Sequence, residues 1–255
     1  MALVKSEKEI ANLAEGGKRL AEILQKVVEA VRPGVTTKEL DRIAETLIIS
    51  SDGIPSFKGY NAFGARTAYP ASLCTSINDE VVHGIPSEKR ILKEGDIIGL
   101  DIGMKYAGLH TDMAVSAGVG KVDADSQKLM DATRIALEKG IAEVRAGAHI
   151  GDVGEAVQKY VEGYGFGIVR ELVGHGVGHA VHEQPEVPNF GERGRGMCLV
   201  EGMVLALEPM VTAGDYRVVL ADDDWTWKTK DGSRAAHFEH TVVVTKDDVR
   251  VLTKT

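Results

Sequence analysis

Apolar residues recur at every third or fourth position along the first fifty residues of the chain. This spacing places them on one face of each of two amphipathic helices. A capping box, S-x-x-E, opens the first helix at Ser6 and Glu9, and Val-Arg-Pro-Gly at 31–34 ends it. A second such pattern, at Thr36 and Glu39, opens the next helix. The apolar positions are Ile10, Leu13, Leu20, Leu24, Val27 and Val31 in the first helix and Leu40, Ile43, Leu47 and Ile48 in the second.

Parts of this pattern return later in the chain. The run Val-Arg-Pro-Gly at 31–34 reappears as Val-Arg-Ala-Gly at 144–147. The run Glu-Gly-Asp-Ile-Ile-Gly-Leu-Asp at 94–101 corresponds to Glu-Gly-Met-Val-Leu-Ala-Leu-Glu at 201–208. Both of the longer segments open on Glu-Gly, continue as a short apolar strand and end on a carboxylate.

A third match follows in the same order. Thr-Asp-Met-Ala-Val at 111–115 corresponds to Phe-Glu-His-Thr-Val at 238–242, again with a carboxylate at the second position. Three ordered matches predict an internal duplication into related α/β halves, about 1–120 and 121–255, packed about a pseudo-twofold axis. No low-complexity linker separates the halves, so we expect one catalytic domain over residues 1–255 with a shared core.

Charge and cysteine content narrow the class of protein. A net charge of −8 argues against a general affinity for nucleic acid. Two cysteines, Cys74 and Cys198, are too few for a disulfide scaffold and suit a reducing compartment. No segment approaches the roughly 20 apolar residues of a membrane span, and no secretory signal opens the chain. We therefore expect a cytoplasmic protein, and a monomer because no exposed heptad pattern indicates assembly.

The carboxylates within the repeat are candidates for metal binding. Asp101 and Asp112 flank a segment of hairpin length, and a symmetric hairpin closing near Tyr106-Ala107 places them opposite each other. Asp101 also follows the apolar run 97–100. Like charges at a buried strand end repel each other unless a cation lies between them.

The second half supplies an equivalent pair, Glu208 and Glu239. A pseudo-twofold axis brings the two pairs face to face, and two divalent ions would balance their four negative charges. Any one of these acids, taken alone, is most simply a surface residue. The repeat makes metal binding the better interpretation.

Histidines are concentrated near the same segments. His83 stands between an apolar run and a glycine, and His175, His179 and His182 lie within the glycine-rich stretch 174–183. A lone histidine is usually structural, whereas three in such a stretch indicate a site. The stretch matches neither the dinucleotide fingerprint G-x-G-x-x-G nor the zincin signature H-E-x-x-H.

Taken together, these motifs resemble in order and spacing the type I methionine aminopeptidases, in their short bacterial form. The resemblance covers nearly the whole chain. It implies the α/β (α+β) pita-bread fold, in which two pseudo-twofold related halves, with antiparallel-rich sheets flanked by helices, enclose a central metal cleft. The motifs are His83-Gly-Ile-Pro, Leu100-Asp101-Ile-Gly, His110-Thr-Asp112, Gly174-His175-Gly-Val-Gly-His179, Glu208-Pro-Met and Phe238-Glu239-His240-Thr241.

The resemblance also implies a set of metal ligands. Asp112 and Glu239 would bridge two divalent ions, and the sequence leaves open whether these are cobalt, manganese, iron or zinc. The full implied ligand set is Asp101, Asp112, His175, Glu208 and Glu239.

The activity implied by the resemblance is hydrolytic removal of the initiator methionine from nascent polypeptides when the next residue is small. Glu208 would act as general base, and His83 and His182 would be catalytic and substrate-facing. The methionine pocket would be lined by Tyr69, Cys74 and Trp225. The N-termini of nascent chains are the implied partners. Contact with the ribosome is left open, and neither a membrane nor a specific nucleic acid is expected.

Two departures from the family pattern fall at the pocket. Residues 61–68 separate Gly59-Tyr60 from Tyr69-Pro70 by about six residues more than is usual in the family, and Val181 stands where relatives have phenylalanine. A smaller wall residue would loosen selectivity for methionine. Alternatively, the extra residues fold over the rim and refill the space.

Two other functions fit parts of the same pattern. An Xaa-Pro aminopeptidase or dipeptidase on the same fold would share the five ligands, but such enzymes normally carry an additional N-terminal domain. A non-catalytic binding protein of the same fold would have lost the metals, and the intact ligand set argues against that.

Overall fold

A computed structural model describes residues 3–61 and 66–254 of the chain. Within this part, the helices are α1 (Glu7–Glu29), α2 (Thr37–Ser50), α3 (Ala124–Ile141) and α4 (Ile150–Gly163). The strands are β1 (Ile54–Pro55), β2 (Leu73–Ile77), β3 (Glu80–Val82), β4 (Ile97–Tyr106), β5 (Leu109–Gly118), β6 (Gly167–Ile168), β7 (Gly174–Gly176), β8 (Glu183–Val187), β9 (Val204–Leu207), β10 (Met210–Thr212), β11 (Val218–Leu220), β12 (Trp227–Thr229), β13 (Ala235–His237), β14 (Glu239–Val244) and β15 (Val249–Val251).

The first two helices begin where their caps predict. The backbone N–H of Ser6 donates to Glu9 Oε2 at 2.7 Å, and the Ser6 hydroxyl accepts from the Glu9 N–H, completing the capping box. The Thr36 hydroxyl accepts from Glu39 N–H at 3.1 Å. The apolar face of α1, with Leu20 and Leu24, is buried against the strands of the first half. None of the helices in the described ranges is long and apolar enough to cross a membrane.

A nine-stranded sheet runs through both halves of the chain. Its main path is β1-β4-β5-β14-β9-β7-β8, with β2 added to β4 and β15 added to β14. The central pair, β5 and β14, is antiparallel, and β4 and β9 lie on either side of it. The matching segments of the repeat therefore occupy equivalent strands, with 94–101 on β4 and 201–208 on β9.

Backbone hydrogen bonds repeat between the halves as well. Gly34 N–H donates to the Leu92 carbonyl at 2.8 Å, and Gly147 N–H donates to the Leu199 carbonyl at 2.9 Å. Both glycines have positive φ, +90° and +86°, in a region that L side chains rarely adopt. Each turn leads from the first helix of its half into the second, so the two halves share the same helix connection.

The β4–β5 hairpin differs from its prediction in one detail. It closes through a two-residue turn at Ala107 and Gly108, both with positive φ, one residue later than the symmetric hairpin assumed. A one-residue shift of the turn moves each cross-strand partner by two positions. Asp112 therefore lies opposite Gly103, and the prediction that it lies opposite Asp101 is wrong. The two aspartates still share a face of the sheet. Asp112 pairs with Gly103, and the side chain of Asp101, two residues earlier on the same strand, points to the same side.

A buried aspartate joins α2 to the start of β2. Asp41 is fully buried, and its Oδ1 accepts hydrogen bonds from the N–H groups of Ser72 at 2.8 Å and Leu73 at 3.1 Å. Lys38 Nζ lies 2.7 Å from Oδ2 and balances the charge. This contact sets the position of β2 beside β4.

We expect Asp41→Ala to lower the free energy of unfolding by about 2–4 kcal/mol, because two interior N–H groups lose their acceptor and each unsatisfied group costs about 1–3 kcal/mol. Urea unfolding measures the change. The control is Glu15→Ala, which removes an exposed pair with Arg19 and should alter stability by about 0.5 kcal/mol or less. Equal losses in the two variants would contradict a special role for Asp41.

Candidate active site

A cavity of about 480 Å³ lies against the large sheet. It brings together all ten residues that the sequence indicated as ligands, catalytic groups or pocket wall. The described residues that line it are Phe57, Tyr60, Tyr69, Cys74, His83, Asp101, Asp112, His175, His182, Glu208, Leu220, Asp224, Trp225, Trp227 and Glu239.

Strand register explains why the carboxylates meet. Paired residues on neighbouring strands project to the same face of a sheet. Asp101 pairs with Ala114, and Ala114 pairs with Glu239. Continuing the β14–β9 register one residue beyond its last pair places Glu239 opposite Glu208. These residues form a row across four strands, and Asp112, two positions from Ala114, projects to the same face.

Buried carboxylate oxygens in this group lack hydrogen-bond donors. Oδ1 of Asp101, Oδ1 of Asp112 and Oε1 of Glu239 have no partner within the described part of the chain. Ligand atoms of Asp112, His175 and Glu239 all lie within 4.8 Å of one another. A buried anionic oxygen without a partner is costly, and a divalent cation takes oxygen and imidazole donors of this kind. The residues therefore fit a metal centre.

The protonation of these acids reflects the same crowding. Burial raises the pKa of Asp101 to about 7. Burial, followed by repulsion from Asp101, also holds the pKa values of Asp112 and Glu208 well above their usual range. The pKa of Glu239 is raised well above its usual value by burial and then by Asp112. The cluster resists full ionisation unless positive charge enters it.

His175 presents a free ring nitrogen to the carboxylates. Its Nδ1 lies 2.9 Å from the Gly176 carbonyl, which can only accept, so Nδ1 carries the proton. Nε2 lies 3.5 Å from Glu208 Oε1. Burial lowers the pKa of His175 to about 3, so the ring is neutral and Nε2 keeps a lone pair for a metal.

The other predicted histidines divide between two environments. His83 follows β3 with a φ of +59° and lines the cavity, and burial lowers its pKa to about 4. The His182 ring meets that of His175 edge-on, with centroids 4.4 Å apart. His179, from the same glycine-rich stretch, turns away and places Nε2 2.6 Å from Glu9 Oε1.

The turn before His182 is anchored from the N-terminal segment. Lys5 Nζ lies 2.8 Å from Glu183 Oε2, and both side chains are buried. The other oxygen of Glu183 accepts the Ala180 N–H at 2.7 Å. Sequence reasoning missed this pair, because no local pattern relates a lysine at position 5 to a glutamate at position 183.

His237 is a second residue that the sequence interpretation missed. It is buried at the end of β13, with Nε2 3.7 Å from Glu208 Oε2 and 4.0 Å from Glu239 Oε2. Its Nε2 has no hydrogen-bond partner among the residues described. The one available signal was its place two residues before Glu239. At this position a proton on His237 Nε2 would point toward Glu208 and Glu239, two of the candidate metal ligands.

Apolar side chains form the wall beside the metal centre. Tyr69 and Trp225 meet edge-on, with ring centroids 5.2 Å apart. Cys74 pairs with Asp101 across β2 and β4, which places the pocket wall directly against the carboxylates. Val181 is buried in the same cluster, behind the residues that line the cavity and not among them.

The segment that is longer than usual also reaches this wall. Of residues 61–68, those from 62 to 65 lie outside the described residues. Beyond them, the Arg66 guanidinium forms a two-pronged ion pair with the Asp224 carboxylate. The Thr67 carbonyl accepts the Trp225 indole N–H at 3.1 Å. The part of the segment that is described thus supports the rim of the pocket.

Comparison with known proteins agrees with this geometry. The model of metallopeptidase family M24 matches residues 11–246. A methionine aminopeptidase from Clostridium acetobutylicum is 46% identical over 253 residues, covering 99% of each chain. The crystal structure of methionine aminopeptidase from Thermotoga maritima covers 100% of both chains, at 42% identity and a TM-score of 0.96.

A more distant structure shares the fold alone. The X-Pro aminopeptidase from Thermotoga maritima is 20% identical with a TM-score of 0.75, and the match covers 99% of this chain and 63% of that one. The predicted pita-bread architecture of two related α/β halves is confirmed by these similarities and by the equivalent strands of the sheet. By the extent of the family match and the full-length similarity to its relatives, the chain belongs to metallopeptidase family M24.

Proposed function

We propose that the chain removes N-terminal methionine from polypeptides whose next residue is small. The observation that carries this proposal is the contact between an apolar pocket and a row of buried carboxylates along one face of the sheet. Full-length relatives at 42–46% identity are methionine aminopeptidases by name. A pocket of this kind suits an unbranched apolar side chain held next to a hydrolytic centre.

We propose further that two divalent ions complete the site. Asp112 and Glu239, the later carboxylate of each half, would be shared between them, and Asp101, His175 and Glu208 would complete the ligand set. Bound divalent ions supply Lewis acidity and lower the pKa of water. The unpartnered oxygens of Asp101, Asp112 and Glu239 support this assignment.

The remaining groups would handle protons and substrate orientation. Glu208 would take the proton of the attacking water as general base. A ring N–H of His182 would donate to the scissile carbonyl oxygen as negative charge develops on it. His83, which also lines the cavity, would assist protonation of the leaving nitrogen. Tyr69, Cys74 and Trp225 would hold the methionine side chain away from water.

The proposed setting follows from the proposed reaction. New chains begin with methionine in the cytoplasm, so we place the enzyme there, acting on nascent N-termini close to the ribosome. Because one sheet runs through both halves, we propose that residues 1–255 work as a single catalytic domain. We propose a monomer, since the sequence carries no exposed heptad pattern for assembly.

The first test separates the candidate activities. We expect release of methionine from Met-Ala and Met-Gly, no cleavage of Ala-Pro, loss of activity with chelator and recovery on adding metal. Asp101→Ala should have no activity and reduced metal content. Preferential cleavage of Ala-Pro would identify an Xaa-Pro peptidase. Activity that chelator leaves unchanged would exclude metal chemistry. A lack of activity with every metal tested would indicate a binding protein.

The two neighbouring histidines should respond differently to substitution. His175→Ala should lower metal affinity first, because its free Nε2 faces the carboxylates. His182→Ala should keep its metal while kcat falls by about 10²–10³, the cost of one donor to a developing oxyanion. Metal analysis and steady-state kinetics distinguish them. Metal loss from His182→Ala would reassign His182 as a ligand.

Val181→Phe tests the pocket wall. Val181 is only 5% exposed and packs with Tyr69, Cys74 and Trp225, so a larger ring overpacks the wall at a cost of about 1–3 kcal/mol. We expect lower kcat/KM for Met-Ala, because the buried position has no room for the larger ring. A sharper preference for Met-Ala over Leu-Ala at an unchanged rate would instead show that the wall was loose.

A further inference from the structure

The hydroxyl of Tyr60 contacts the histidine assigned to the scissile carbonyl. Tyr60 Oη lies 2.7 Å from His182 Nδ1, and the two rings meet edge-on with centroids 5.1 Å apart. Both residues line the cavity. This hydrogen bond fixes the ring of His182 from the side away from its Nε2.

Backbone contacts hold Tyr60 in place on three sides. Its N–H donates to the Phe57 carbonyl at 2.9 Å, and its carbonyl accepts the Tyr69 N–H at 2.8 Å. The Gly59 N–H donates to the Tyr69 carbonyl at 2.8 Å. These bonds pair Gly59 and Tyr60 with Tyr69 and fix the backbone that carries the Tyr60 ring.

The direction of the hydrogen bond follows from the donors available. A neutral imidazole carries one N–H, on either Nδ1 or Nε2. Burial raises the pKa of Tyr60, so its hydroxyl remains protonated. This hydroxyl has no hydrogen-bond partner other than His182 in the described ranges. Donation from Tyr60 to Nδ1 pairs the hydroxyl proton, whereas acceptance from Nδ1 would leave that proton without an acceptor among the described residues.

We propose that Tyr60 is a positioning residue that holds His182 in the tautomer with its proton on Nε2. This inference rests on the proposed function, in which His182 donates to the scissile carbonyl. With Nδ1 occupied as an acceptor, Nε2–H is the only donor that the neutral ring can offer the substrate. Tyr60 thus acts through His182 and makes no bond to the reacting atoms.

Tyr60→Phe removes the hydroxyl and keeps the ring. For Met-Ala we expect kcat to fall about 3–10-fold, the worth of one net hydrogen bond, with KM and metal content unchanged. In a His182→Ala background the same substitution should cost nothing further. The matched control is Tyr164→Phe, which removes a hydroxyl bonded to Tyr160 on the protein surface and should leave the rate unchanged. An equal loss in the His182→Ala background would overturn the proposal.

Nitrogen-15 NMR of histidine-labelled, Zn²⁺-loaded protein reads the tautomer without any assay of activity. The His182 signals are those missing from His182→Ala. We expect a protonated Nε2 and an unprotonated Nδ1 in the wild type, and a mixture of tautomers in Tyr60→Phe. A proton on Nδ1 in the wild type would refute the inference. If the wild type carried the proton on Nε2 but failed to cleave Met-Ala, the proposed function would be refuted and the inference about Tyr60 would stand.

Discussion

Four carboxylates, three of them buried and Glu208 nearly so, lie together on one face of a sheet and set the main constraint on this structure. The row from Asp101 to Glu208 crosses four strands, with Asp112 and Glu239 on the same face. Their mutual repulsion and loss of hydration disfavour ionisation, as the raised pKa values of the group indicate. Divalent cations would offset this repulsion, so the arrangement of the carboxylates favours metal binding.

The frame that enforces this proximity is a nearly symmetric backbone. Each half contributes one inner strand to the central pair β5 and β14, and one outer strand beside it. Equivalent glycine turns at Gly34 and Gly147 join the helices of each half. Because the two halves supply two acids each, neither half alone can assemble the site, and the pairing of β5 with β14 completes it.

The two sides of the cleft differ, because some of its residues have no counterpart in the other half. The second half alone supplies His175 and His182, while the apolar wall combines Tyr69 and Cys74 of the first half with Trp225 of the second. In the proposed function, this asymmetry would let a chain terminus enter in one orientation, with its side chain in the pocket and its first peptide bond at the histidines. Two further contacts lie at His182, which has no counterpart in the first half. Glu183, the next residue, pairs with Lys5, and His182 itself bonds to the hydroxyl of Tyr60.

The sequence by itself predicted the helix starts and the matched strands of the two halves, because caps and periodicity are read from neighbouring residues. Its ten candidate site residues line one cavity. It misplaced the partner of Asp101, since hairpin register depends on which two residues adopt positive φ. Tertiary structure alone decided the contacts between distant segments, such as His237 with Glu208 and Tyr60 with His182, the latter 122 positions apart. Such contacts arise when strands and loops pack in three dimensions, and no spacing along the chain encodes them.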